Sequence, residues 1–195
     1  MGEMKSAYDR AMERAGKLGK LSPDEMKKQE EERLLTVGRA IADKYIVHGS
    51  TQVLKGDIGK LRAEDRGLVG RGAWLGLVES LSFDKGVTME ALDRVAEGLA
   101  ALATGKQGVV EELIGKVKGL LEELEAELDR TYSSEFSHLE SERRGLLQGL
   151  GISGSAVAGV NVEGSSAWQL IEDGLHAQYN AKLELLKNKL SQAVA

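Results

Sequence analysis

Apolar residues recur at intervals of three and four along almost the whole chain, which is the spacing of one face of an α-helix. Ala7, Tyr8, Ala11, Met12, Ala15 and Leu18 mark a first helix over about residues 3–18. Ser22 then offers a hydroxyl N-cap, and Pro23 suits the first helical position. Glu25, three residues after Ser22, completes a capping box. The helix opened there is expected to reach about Val47, with Leu34, Val37, Ile41 and Tyr45 on its stripe. Residues 48–51 read as a turn. Residues 52–83 suit two shorter helices, one carrying Val53, Leu54, Ile58 and Leu61, the other Leu68, Val69, Trp74, Leu75, Val78 and Leu81. Thr88 caps a clear amphipathic helix with Met89, Leu92, Val95, Leu99 and Leu102, and Gly105 stands where a C-terminal glycine cap belongs.

From about Gln107 one stripe continues through Val110, Leu113, Val117, Leu121, Leu124, Leu128, Tyr132, Phe136, Leu139, Leu146 and Leu150. Taken as a single helix to Gly149 it is ~65 Å long at 1.5 Å per residue. A helix of that length must protrude from so small a domain, pair with another helix, or break. Ser133 and Ser134 are the expected break, because serine competes for backbone hydrogen bonds. Residues 149–166 hold five glycines and four serines and read as a flexible loop, with a short extended segment over 157–162. Ser165 or Ser166 caps a last helix lined by Trp168, Ile171, Leu175, Tyr179, Leu183, Leu186 and Leu190. The expectation is an all-α fold of about six helices in a single domain over 1–195. The N-terminal helix (1–20) is expected to be loosely attached, and residues 107–193 to form a long, coiled-coil-like antiparallel hairpin.

Composition agrees with this pattern. Apolar residues are 42% of the chain but aromatics only 4%, and Leu, Ala, Glu and Lys favour helix over sheet. The 26 basic residues are outweighed by 31 acidic ones, so a nucleic-acid duplex is not the expected main partner. The basic residues Lys55, Lys60, Arg62, Arg66 and Arg71 are interleaved with acids, as on a solvated face. The chain has no cysteine, which removes disulfides, thiolate metal sites and thiol nucleophiles together. No apolar run approaches the ~18 residues of a bilayer span, and no secretory leader opens the sequence. A cytoplasmic location is expected.

Chemistry-bearing motifs are sparse. Gly149-x-Gly151-x-x-Gly154 matches the dinucleotide fingerprint in letters, but a helix leads into it where that fingerprint needs a strand. No nucleophile elbow or phosphate loop occurs. One constellation stands out. Glu135-x-x-His138 has the ligand spacing of four-helix di-iron bundles, and Glu172 and His176 lie four apart on the last helix. If the chain reverses near residue 157, the two pairs face each other at one level. They are the candidate metal ligands, and no other cofactor is expected. Gly56, Gly59, Gly67, Gly70, Gly72 and Gly76 weaken the helices that contain them and call for a compensating close approach. Gly115-x-x-x-Gly119 on the long helix offers a second place for backbone contact.

The functional expectation is a non-enzymatic interaction or scaffold protein, associating with itself or with another helical protein. Leu113, Val117, Leu124, Leu128, Trp168, Leu175, Leu183 and Leu190 are its expected packing seam. The alternative is a metal- or ligand-binding bundle built on the Glu/His cluster.

Overall fold

A computed structural model describes residues 22–151, 162 and 164–193. The fold is all-α. Six helices follow in order: α1 (Pro23–His48), α2 (Thr51–Gly59), α3 (Arg66–Glu79), α4 (Met89–Leu102), α5 (Gln107–Gly149) and α6 (Ser166–Gln192). The described residues contain no strand. The helix expected over 1–20 lies outside the described residues, as does the extended segment expected over 157–162 apart from Val162.

Local chemistry sets most of the boundaries. The Ser22 hydroxyl accepts from the Glu25 N–H at 3.2 Å, and the Glu25 carboxylate accepts from the Ser22 N–H at 2.7 Å. These two bonds hold the Glu25 carboxyl below its usual range, the Ser22 backbone bond contributing most. α1 ends at Gly49, whose φ of 68° is the left-handed geometry of a glycine cap. Ser50, Thr88 and Ser165 cap α2, α4 and α6 through their hydroxyls. α4 stops at Leu102, earlier than Gly105 predicts. Ala103 turns extended there, and Gly105 makes the left-handed step two residues later.

α1, α2 and α3 run up, down and up again. Lys44 near the top of α1 pairs with Asp57 of α2 at 2.7 Å. Further along, Leu35 backs onto Gly72 and Ala42 onto Gly76, so α1 and α3 run parallel. Their contact is backbone against backbone. A Cβ built on Gly38 would lie 2.2 Å from the Val69 carbonyl oxygen, and one on Gly72 2.3 Å from that of Leu35. One on Gly76 would reach the Ala42 methyl at 2.9 Å. The glycine density therefore has two halves. Gly72 and Gly76 are required by the crossing, whereas Gly56, Gly59, Gly67 and Gly70 face open space. Gly115 and Gly119 also face open space, so the close contact suggested by their spacing is not made among the described residues.

A single cluster of buried side chains draws on all six helices, from Ala42 and Tyr45 through Leu77, Leu99, Leu121 and Leu124 to Leu183 and Leu190. Few polar tethers cross it. The Tyr45 hydroxyl donates to the Arg94 carbonyl at 2.7 Å, and the Trp74 indole donates to the Leu190 carbonyl at 3.0 Å. The second bond anchors the end of α6 on α3.

α5 is one uninterrupted helix of 43 residues. It does not break at Ser133–Ser134. Thr131, Ser133 and Ser137 each turn the hydroxyl back onto the carbonyl one turn earlier, at 2.7, 2.9 and 2.9 Å. That bond satisfies the competing group without opening the backbone ladder. Contacts with α6 pair rising positions on one helix with falling positions on the other. Tyr179 donates to Glu127 at 2.7 Å, and Tyr132 meets the Trp168 ring edge-on at 5.1 Å. Trp168 is in the first turn of α6, so α5 beyond Tyr132 runs past the start of its neighbour.

Candidate functional site

The Glu/His constellation is not assembled. Glu172 is bound to Lys85 at 2.6 Å, and Lys85 also pairs with Asp173 at 2.9 Å. These bonds raise the Lys85 ammonium above its ordinary value, Glu172 contributing most. The His176 Nδ1 is hydrogen-bonded to the Phe83 carbonyl, while the Asn180 side-chain oxygen accepts the Phe83 N–H at 2.9 Å. One turn of α6 thus holds both backbone polar groups of Phe83 and fixes the 80–88 connection. The other pair lies elsewhere. His138 is exposed on α5, 3.9 Å from Glu142, and Glu135 is partly exposed one turn away. The register explains the separation. Since Tyr132 stands level with Trp168, His138 and His176 lie on opposite sides of that level, roughly 20 Å apart along the axis at 1.5 Å per residue. Among the described residues, no three His, Asp or Glu gather as a metal would need.

The packing seam is internal. Leu113, Val117, Leu124, Trp168, Leu183 and Leu190 are buried, and Leu128 and Leu175 are partly buried against the same core. These eight side chains hold α5 and α6 to each other and to the rest of the domain.

At the lower end of the domain a cleft of about 340 Å³ is lined by Gly67, Gly70, Trp74 and Ala103, with Arg66, Arg71 and Lys106 at its rim. Its volume is at the small end for ligand pockets. Arg66 already donates to the carbonyls of Leu61 and Gly59 at 2.9 and 2.8 Å, and Lys106 donates to that of Ala193 at 2.7 Å. Among the described residues, no carboxylate, imidazole or thiol lines the cleft, and its polar side chains are those of Arg66, Arg71, Thr104 and Lys106.

The feature least explained by the fold is the outer part of α5, Ser133 to Gly149, an arm of about 25 Å at 1.5 Å per residue. None of its side chains is buried. Leu146 and Leu150 at its end are 71% and 74% exposed, and Phe136 is 39% exposed. Single exposed leucines are ordinary on any protein. Here Tyr132, Phe136, Leu139, Arg143, Leu146 and Leu150 alternate spacings of four and three, which is the seam of a helix that expects another beside it. The same stripe is visible in the sequence. Its exposure is not, because that depends on where α6 begins.

Comparison with protein-family models, curated proteins and solved structures finds no match to this chain. No helix among the described residues is long and apolar enough to cross a membrane.

Proposed function

We propose that this chain is a non-enzymatic helical interaction protein that self-associates, and that the outer arm of α5 is its contact surface. The observation that carries the reading is the exposure of Leu146 and Leu150 at the end of α5, beyond the level where α6 begins. An apolar seam held away from the core does nothing for the stability of the monomer. It gains its hydrophobic free energy when a second surface removes it from water.

The test is the solution mass of the full chain by light scattering or sedimentation. The expected mass is a multiple of 21.0 kDa that drops to the monomer value in the double variant Leu146→Glu, Leu150→Glu, with helicity and melting unchanged. A wild-type chain that stays monomeric up to ~100 μM, where contacts weaker than about 10⁻⁴ M fail to form, overturns the reading. So does a double variant whose mass is unaltered.

A further inference from the structure

We propose that the cleft at the start of α3 binds a small organic anion, a carboxylate or phosphate ester joined to an apolar body. Arg66 and Arg71 hold the charged head, and Trp74 and Leu102 line the space for the body. This site is separate from the arm of α5 and does not rest on self-association.

α3 builds one wall. At 3.6 residues per turn, Gly67, Gly70 and Trp74 fall within about 60° of one another around that helix, with Arg66 and Arg71 each about 70° from their centre, on opposite sides. The wall is a trough without side chains, bordered on both edges by a guanidinium group, with an indole further along. The bond from the indole to the Leu190 carbonyl, at 3.0 Å, fixes the ring. The connection from α4 to α5 faces this wall with Leu102, Ala103 and Thr104, and Ala193 closes the side next to α6. The enclosed volume of about 340 Å³ suits a small molecule.

The trough is not a requirement of the helix crossing. Gly72 and Gly76 serve that crossing from another side of α3, whereas a Cβ on Gly67 or Gly70 meets nothing within 4 Å. Alanine at either position would strengthen the helix, since glycine loses more backbone freedom on folding. What glycine does at these two positions is keep the cleft open: both line it, and a larger side chain there would stand in it.

Charge selects the ligand. Just before α3, Lys60 pairs with Asp57 at 2.9 Å and Arg62 with Asp65 at 2.8 Å. Among the described residues, neither Arg66 nor Arg71 is paired with a carboxylate, and no carboxylate lines the cleft. Arg66 gives its Nε and Nη2 hydrogens to the carbonyls of Leu61 and Gly59. Those neutral acceptors hold the guanidinium in place without cancelling its charge, and Nη1 lies outside both bonds. Two guanidinium groups flanking one trough recognise an oxyanion, whose oxygens match their planar array of donors. The apolar lining between them favours an anion that carries a body over a bare one.

Trp74 reports on the cleft directly. The chain has two tryptophans, so NMR of the ¹⁵N-labelled full chain resolves an indole N–H signal for each, and a Trp168→Phe protein assigns them. Phenyl phosphate and benzoate are titrated in, with benzamide as the neutral counterpart and inorganic phosphate as a head without a body. Both organic anions are expected to move the Trp74 signal with dissociation constants of about 1 mM or tighter, and benzamide and inorganic phosphate to bind at least about tenfold more weakly. Arg71→Ala is expected to weaken phenyl phosphate about tenfold and Gly70→Leu to abolish its binding, with circular dichroism showing both variants folded. A Trp74 signal unmoved by ~20 mM of either anion overturns the proposal. So does binding that survives both substitutions, or benzamide that binds as tightly as benzoate. Inorganic phosphate binding as tightly as phenyl phosphate overturns the apolar body as part of the ligand.

Discussion

The α1–α3 crossing and the outer arm of α5 are built from similar letters and behave oppositely. Both are helices with glycine at four-residue spacing, Gly72 and Gly76 in one, Gly145 and Gly149 in the other. At the crossing, the missing side chains let two backbones touch, and a methyl group has nowhere to go. On the arm, a Cβ at Gly145 or Gly149 meets nothing within 4 Å. Glycine spacing therefore marks a possible approach between helices, and the approach happens only where the facing helix also carries small residues. Gly38 and Ala42 supply those for Gly72 and Gly76.

The largest expected effect breaks that contrast directly. Gly72→Leu places its Cβ within 2.3 Å of the Leu35 carbonyl oxygen, a backbone atom that cannot rotate away. Overpacking in cores costs about 1–3 kcal/mol when side chains can adjust. Here α1 and α3 must separate, so the expected loss exceeds ~3 kcal/mol, a sizeable share of the total stability of an ordinary domain. Urea unfolding followed by circular dichroism is expected to show no cooperative native baseline, while Gly145→Leu unfolds within ~1 kcal/mol of wild type, as surface substitutions do. Equal loss at both positions means the crossing is misplaced.

A second contrast runs along α5 itself. Leu124 is 1% exposed and Leu146 71%, although they occupy the same stripe. Leu124→Ala is expected to cost about 2–5 kcal/mol from lost burial and the cavity left behind. Leu146→Ala is expected to leave melting of the dilute monomer unchanged while weakening association. A similar destabilisation from both at low concentration would show that the arm is packed within its own chain.

Much of the fold was legible in the sequence, for a physical reason. Helix starts depend on neighbouring residues, and Ser22, Glu25, Ser50, Thr88 and Ser165 act within three positions of themselves. What the sequence did not show depends on distant partners. The Tyr132–Trp168 contact sets how far α6 reaches along α5, and no local pattern encodes it. That one register separates Glu135 and His138 from Glu172 and His176, packs the eight seam residues inside the domain, and leaves α5 running on past the start of α6. Ser133 is a subtler case. Serine's competition for backbone bonds points to a break, but the Ser133 hydroxyl bonds back one turn to the Asp129 carbonyl and the ladder stays closed.

The Glu127–Tyr179 bond, inside the stretch where α6 covers α5, gives a pH-dependent measure of that contact. The phenol donates to the carboxylate at 2.7 Å, and its ionisation would lose the bond and set two negative charges together. The hydrogen bond to Glu127, with burial adding to it, pushes the phenol up to about 12. The unfolded phenol ionises near 10. The folded state thus holds its proton more tightly, so this contribution is intact below pH ~10 and is lost as pH rises from about 10 to about 12. Tyr179→Phe is expected to flatten stability against pH over that window, read by urea midpoints. A slope unchanged by the substitution would place its origin in other groups.

The smallest effect is also the one with an inverted sign. Gly115 and Gly119 lie inside α5 with open space where a Cβ would stand. Alanine loses less backbone freedom on folding than glycine, and its methyl group here displaces only water. Gly119→Ala is therefore expected to raise stability by up to about 1 kcal/mol, a few degrees in melting temperature. The same change at Gly76 must push against the Ala42 methyl at 2.9 Å and lower it. The pair also sharpens where copies meet. If the Gly115–Gly119 stripe were a backbone contact between chains, alanine there would reduce the oligomer mass while stabilising the monomer. With the arm as the contact, the mass is unchanged, because the stripe and the seam beyond Tyr132 occupy different lengths of one helix.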